Sequence, residues 1–134
     1  MTILRSEIVE LTTEMDMLRA RQAVRACALE LGFKLVDQTK IVTAASELAR
    51  NTLIYGGGGT MRLEGLHDGF RKGIRLVFED QGPGIPDIER AMQDGYTSGK
   101  GMGMGLGGSR RLVTDFEIQS RVGEGTRIMI AKWI

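Results

Sequence analysis

Asp80 stands where a strand pattern ends. Ile74, Leu76, Phe78 and Asp80 share one parity, and strand side chains alternate between faces, so the carboxylate extends a row of core-facing apolar residues. An ionised carboxylate aimed that way is costly unless donors reach it. The chain continues Gln81-Gly82-Pro83-Gly84-Ile85-Pro86, and the two glycines remove side chains where a ligand could approach the backbone. This describes the floor of a pocket for a flat ligand. The alternative is a hairpin turn whose aspartate caps the next helix. Glu47 and Asn51 form a second pair, one helical turn apart and, at ~100° per residue, ~40° apart around the axis. Alone they describe a solvated helix flank. Beside a pocket, Asn51 can offer a neutral oxygen to Mg²⁺, a hard cation that keeps several waters and takes phosphate oxygens. Glu47 is then placed to accept a proton from an attacking hydroxyl or water.

A third feature is the run Gly101-Met102-Gly103-Met104-Gly105-Leu106-Gly107-Gly108. Gly103, Gly105 and Gly108 match the dinucleotide fingerprint in letters, but that fingerprint must follow a strand, and a polar loop precedes this run. Gly95 to Lys100 is one residue short of a P-loop and lacks its closing Ser or Thr. What remains is a row of unshielded amides opening a helix, a place for an anion. A flexible glycine linker is the bland alternative, and the apolar periodicity that follows at once weakens it. Residues 96–100 form a segment flanked by glycines, either a lid or a surface loop.

These residues need a scaffold. Residues 2–10 carry Ile3, Leu4, Ile8 and Val9 without a clean period, and an edge strand is expected. Thr12 or Thr13 can cap a helix with Glu14 and Asp16 in its first turn. Met17, Ala20, Val24, Cys27, Ala28 and Leu31 recur at helical spacing up to Gly32, which places Cys27 in the core rather than at a reactive site. Asp37 opens a second helix expected to run to about Tyr55, with Ile41, Ala44, Ala45, Leu48, Thr52 and Tyr55 inward and Arg50 away from the core. Strands follow over residues 60–66 (Met61 and Leu63 in, Arg62 and Glu64 out) and up to Asp80, joined by an Asp68-Gly69 turn. His67, the one histidine, is expected as a solvated turn residue. A short helix around residues 88–92 is expected, then another through Arg110 to Val113. Strands over residues 115–121 and 126–134 close the chain. Two closing strands joined by a tight turn, with about three helices, indicate a two-layer α+β domain with the helices on one face.

At 134 residues with a net charge of +1, one domain over residues 1–134 is expected. Interspersed charges without a basic stripe argue against nucleic acid as a partner. No run approaches the roughly 20 apolar residues of a membrane span, and no apolar signal segment opens the chain. With a single cysteine, this predicts a cytoplasmic protein. Of the 19 glycines, nine fall in residues 56–59 and 101–108, so the excess marks two local loops.

Taken in order, Glu47-Leu-Ala-Arg-Asn51, Asp80-Gln-Gly82-Pro-Gly84-Ile85 and the 101–107 run resemble the N, G1 and G2 boxes of the GHKL (Bergerat-fold) ATPase/kinase superfamily. Gly125-Thr126 is similar to its closing Gly-Thr. The resemblance covers nearly the whole chain and implies an α/β sandwich with a mixed, mostly antiparallel sheet. It implies ATP and Mg²⁺ as cofactors. Asp80 would bind the adenine amino group, with Thr126 helping through water. Asn51 would bind the metal, and Gly82, Gly84 and Ile85 would border the base. The amides of Gly101, Met102, Gly103, Met104, Gly105, Leu106 and Gly107 would hold the triphosphate under the 96–100 lid, with Lys100 at its edge. Many relatives carry Lys or His four residues past the asparagine. Tyr55 stands there, so Lys100 or Arg50 is the substitute, Arg50 being the poorer candidate by its outward direction and an equally good partner-surface residue.

Within the superfamily the chain resembles the free-standing anti-sigma-factor serine kinases, most of all the RsbT-type switch kinases of stress signalling. This implies phosphorylation of Ser or Thr on a STAS-domain antagonist, with Glu47 as the base. It also implies a PP2C-type phosphatase as a second partner. A reading of another class is a nucleotide-gated binding module that sequesters or activates a partner with little turnover.

Overall fold

The computed structural model describes residues 1–93 and 105–134. Elements run β1 (Thr2–Leu11), α1 (Glu14–Leu31), α2 (Leu35–Arg50), a π-helical turn (Asn51–Tyr55), β2 (Gly59–His67), β3 (Lys72–Asp80), α3 (Ile88–Ala91), α4 (Gly105–Arg111), β4 (Asp115–Arg121) and β5 (Gly125–Trp133). The five strands form one open sheet in the order β1-β2-β3-β5-β4. All four ladders are antiparallel, a uniform case of the mostly antiparallel sheet expected. β1 lies at an edge. Its missing period has a cause: the register shifts between Ile3 and Arg5, and such a bulge puts the flanking residues on opposite phases.

Parity decides which face the helices cover. Met61, Leu63, Ile74, Leu76, Phe78, Ile128 and Ile130 are all buried on one side. Ala20, Val24, Cys27 and Leu31 of α1, with Ile41, Ala44, Ala45 and Leu48 of α2, join them in a single core cluster. The small alanines let the two helices approach closely. Cys27 is fully buried, and that burial pushes its thiol up to about 11. Glu64 does face away from the helices, yet it is buried. Arg75 stands opposite it in the ladder and closes over it at 2.8 Å. No helix among the described residues is long and apolar enough to cross a membrane.

The start of α1 is a capping box: Thr13 Oγ1 accepts from the Asp16 amide, and Asp16 reaches back. Asp16 Oδ2 accepts from the Thr12 amide, the Thr12 hydroxyl and the Thr13 amide, each at 3.0 Å. These bonds, the Thr12 amide foremost, hold its carboxyl down to about 2 from an ordinary 3.8. A depressed folded-state pKa contributes stability above the unfolded pKa and loses it as pH falls through the folded one. Asp16→Asn should therefore melt below wild type at neutral pH, and the gap should close between about pH 4 and about pH 2. A gap that stayed constant over that window would refute the linkage.

α2 departs from expectation at both ends. It begins at Leu35, capped by Lys34 without a side-chain bond, so Asp37 lies inside the first turn rather than opening the helix. There its carboxylate suits the helix dipole and pairs with Lys132 at 3.6 Å. The α1–α2 connection sets this start: Gln38 Nε2 donates to the Phe33 carbonyl at 2.7 Å. At the other end the α-helix stops at Arg50, and the last turn widens. The Gly56 amide donates to the Asn51 carbonyl five residues back, and the Thr52 hydroxyl donates to Leu48 O at 2.9 Å. A hydroxyl competing for a helical carbonyl loosens the ladder there, and such widened turns recur at functional sites.

Candidate functional site

A cavity of about 410 Å³ opens where the end of α2, the end of β3 and the start of β5 meet, within the size range of small-molecule pockets. The helix side supplies Glu47, Arg50, Asn51, Thr52, Tyr55 and Gly56. From the sheet come Phe78, Asp80, Thr126 and Ile128. The segment after β3 adds Pro83, Gly84, Ile85, Pro86 and Asp87, followed by Arg90 and Ala91 of α3. Gly105 and Leu106 of α4 close one side. Apolar surfaces from Phe78, Ile85, Leu106 and Ile128 suit a flat ring, and a carboxylate stands at the floor.

The fold explains this convergence. β3 delivers Asp80 at its last position, and β5 begins beside it, so Asp80 and Thr126 are cross-strand partners. Asp80 Oδ1 accepts from the Gly82 amide at 2.9 Å. The widened turn brings Gly56 against that carboxylate, so closely that a Cβ on Gly56 would collide with it. A Cβ on Gly82 would in turn meet the Gly56 backbone at 2.7 Å. Gly56 and Gly82 are thus required by close approach, and together they seat Asp80. Ser120 Oγ accepts from the Ile85 amide at 2.7 Å and lies 2.8 Å from Thr126 Oγ1, tying the segment after β3 to the β4–β5 hairpin.

Of the residues singled out in the sequence, Glu47, Asn51, Asp80, Gly84, Ile85, Gly105, Leu106 and Thr126 line this one cavity. Gly82 is absent from the lining and acts through its amide on Asp80. Gly105 to Gly108 lie within α4 rather than in a loop, and Gly107 is buried there, off the cavity wall. Lys100, Gly101, Met102, Gly103 and Met104, with the 96–100 lid, lie outside the described residues. Arg50 also lines the cavity. Helical periodicity directs it off the core, but the cavity sits beyond the core face at the helix end, so both placements hold together. Gly56 and Ser120 were missed. Gly56 carries a signal, as one of four consecutive glycines, but that run looks like a simple helix stop. Ser120 carries none. Among the described residues no group of three or more His, Cys, Asp or Glu could hold a metal ion.

Residues 36–133 match the model of the histidine kinase-, DNA gyrase B-, and HSP90-like ATPase family. The chain is similar to the serine/threonine-protein kinase RsbT of Bacillus subtilis (strain 168), 48% identical over 126 residues that cover 94% of this chain and 95% of that one. It is also similar to the anti-sigma F factor of Clostridium novyi (strain NT), 32% identical over 120 residues, 84% of this chain and 82% of the other. Among solved structures, the RsbU and RsbW domains of a Mycobacterium tuberculosis protein align over 96% of this chain and 32% of that one, at 20% identity and a TM-score of 0.66. The mycobacterial sensor histidine kinase MprB aligns over 96% and 97% at 18% identity and a TM-score of 0.56. These two structural likenesses speak for the fold alone.

Proposed function

The chain belongs to the histidine kinase-, DNA gyrase B-, and HSP90-like ATPase family, and from that premise we propose that it is an ATP-dependent serine/threonine protein kinase. Its substrate in this reading is a STAS-domain antagonist of a bacterial partner-switching pathway, with residues 1–134 acting as one kinase domain. One observation carries it. Four sequence-distant features, Glu47 with Asn51, Asp80 with its glycine segment, the start of α4, and Thr126, meet around a single cavity. The similarity to RsbT and to an anti-sigma F factor supports the choice of protein hydroxyls as acceptors.

In this reading the apolar walls hold the adenine, and Asp80 accepts from its amino group. Arg50, Gly105 and Leu106 of the cavity wall would contact the phosphates. Glu47 takes the proton of the attacking Ser or Thr hydroxyl as its oxygen bonds to the terminal phosphorus and ADP leaves. Among the described residues no carboxylate cluster is present, and their donor set fits a cation that arrives with the nucleotide. Asn51 would hold Mg²⁺ through its amide oxygen, with water and phosphate completing the shell. The metal would supply charge neutralisation at the phosphates. A PP2C-type phosphatase is the second partner in the same scheme.

The direct test is the intact mass of a recombinant STAS-domain antagonist from the same source after incubation with this chain and Mg-ATP. One added phosphoryl group is expected. No addition, with ADP still bound by calorimetry, would overturn the kinase reading and favour a nucleotide-gated binder. The seat of Asp80 gives a separate prediction. Gly56 has φ −82°, which alanine adopts without strain, so Gly56→Ala acts only through its methyl group against Asp80. Displacing one charged hydrogen-bond partner should weaken ADP binding by about tenfold or more. Unchanged affinity would show that Asp80 can move without loss.

A further inference from the structure

Ser120 does not itself line the cavity but bonds to Ile85 and Thr126, which do, and its hydrogen-bond count bears on the polarity of a neighbour. Ser120 Oγ accepts from the Ile85 amide at 2.7 Å, donates to the Gly125 carbonyl at 3.1 Å, and lies 2.8 Å from Thr126 Oγ1. A hydroxyl has one proton and two lone pairs. The Gly125 carbonyl can only accept, so the Ser120 proton belongs to that bond. The Ile85 amide occupies one lone pair. With all three contacts satisfied at once, the third is donated by Thr126, whose proton then points to Ser120. Thr126 is left with lone pairs alone for the cavity it lines. Its cross-strand partner Asp80 is also an acceptor only when ionised. Two adjacent floor positions therefore accept and neither donates.

We propose that Ser120 is a positioning residue for base selection: by holding the Thr126 hydroxyl as an acceptor, it makes the floor prefer 6-amino over 6-oxo purines. The inference rests on the nucleotide reading above and extends it to a residue outside the recognised motifs. A 6-amino purine brings N–H donors to this edge. A 6-oxo purine replaces the amino group by a carbonyl oxygen, which meets lone pairs at that position, and keeps a single donor, N1–H, beside it. In direct contact, an acceptor at Thr126 draws a donor toward itself; a bridging water could present either polarity, so the preference belongs to the direct contact. Released from Ser120, the Thr126 hydroxyl can turn its proton into the cavity and satisfy the 6-oxo group. Discrimination then rests on Asp80 alone.

The test is calorimetric binding of ADP and of inosine diphosphate, its 6-oxo counterpart, to wild type, Ser120→Ala and Ser120→Cys, with thermal melts alongside. The ratio of the two dissociation constants should fall about tenfold in Ser120→Ala, the size of one hydrogen bond gained by the wrong base. Ser120→Cys keeps nearly the same volume while weakening all three bonds, so it should lower the ratio even if the alanine variant folds poorly. A merely structural Ser120 would raise both constants by the same factor. An unchanged ratio in variants that still bind ADP would overturn the proposal and leave the nucleotide reading standing. Wild type that bound neither diphosphate would overturn that reading and this proposal with it.

Discussion

Glu47→Ala is expected to slow phosphoryl transfer by about 10²- to 10⁴-fold, the contribution of a positioned general base, with ADP affinity little changed. The two effects separate because Glu47 and Asn51 stand at the helix side of the cavity, whereas Asp80 and Thr126 form its floor. A base that receives the hydroxyl proton is needed only as the oxygen–phosphorus bond forms, so its loss acts on the transition state and not on the bound nucleotide. Single-turnover transfer to the antagonist, with calorimetry of ADP on the same variant, measures both. A variant that lost nucleotide binding along with transfer would make Glu47 part of the binding wall. Full transfer by the variant would remove it from the chemistry altogether.

Asp80→Asn should weaken ADP binding by about 10²-fold, since replacing an acceptor by a donor leaves a purine amino group facing another N–H. The substitution is informative because it is nearly isosteric. An asparagine oxygen can still accept from the Gly82 amide, which reaches Asp80 Oδ1 at 2.9 Å, so the turn after β3 should keep its local bond. The thermal midpoint should therefore move little while affinity falls. Affinity equal to wild type would mean that the base is read elsewhere. A collapse in thermal stability instead would assign the carboxylate to holding Gly56 and Gly82 rather than to recognition.

Much of the scaffold was legible in residue order. Alternation along β3 and helical spacing along α1 are local properties of the backbone, and the structure buries the apolar residues they single out, with Met17 only partly covered. The Asp68-Gly69 turn and the stop at Gly32 follow from the same local chemistry. Local rules failed where particular side-chain contacts or the surrounding fold decide. Asp37 looks like a helix cap, but Gln38 bonded to the Phe33 carbonyl sets the start at Leu35. Glu64 looks solvated, and Arg75 from the next strand covers it. The glycines at 105–108 suggest a loop by composition, yet they lie in α4.

The sequence by itself determined the class of fold, the faces of the sheet and long helices, and the ordered motifs that carry the resemblance. Each of these depends on periodicity or on residues a few positions apart, and backbone geometry transmits those directly. Only the tertiary structure decided that Glu47, Asp80, Leu106 and Thr126 share one cavity. It also decided that a widened turn sets Gly56 against the Asp80 carboxylate and that Ser120 links Ile85 to Thr126. Those contacts join residues up to about 35 positions apart. Their geometry depends on strand order and on the close approach of backbones from different elements, which residue spacing along the chain does not encode.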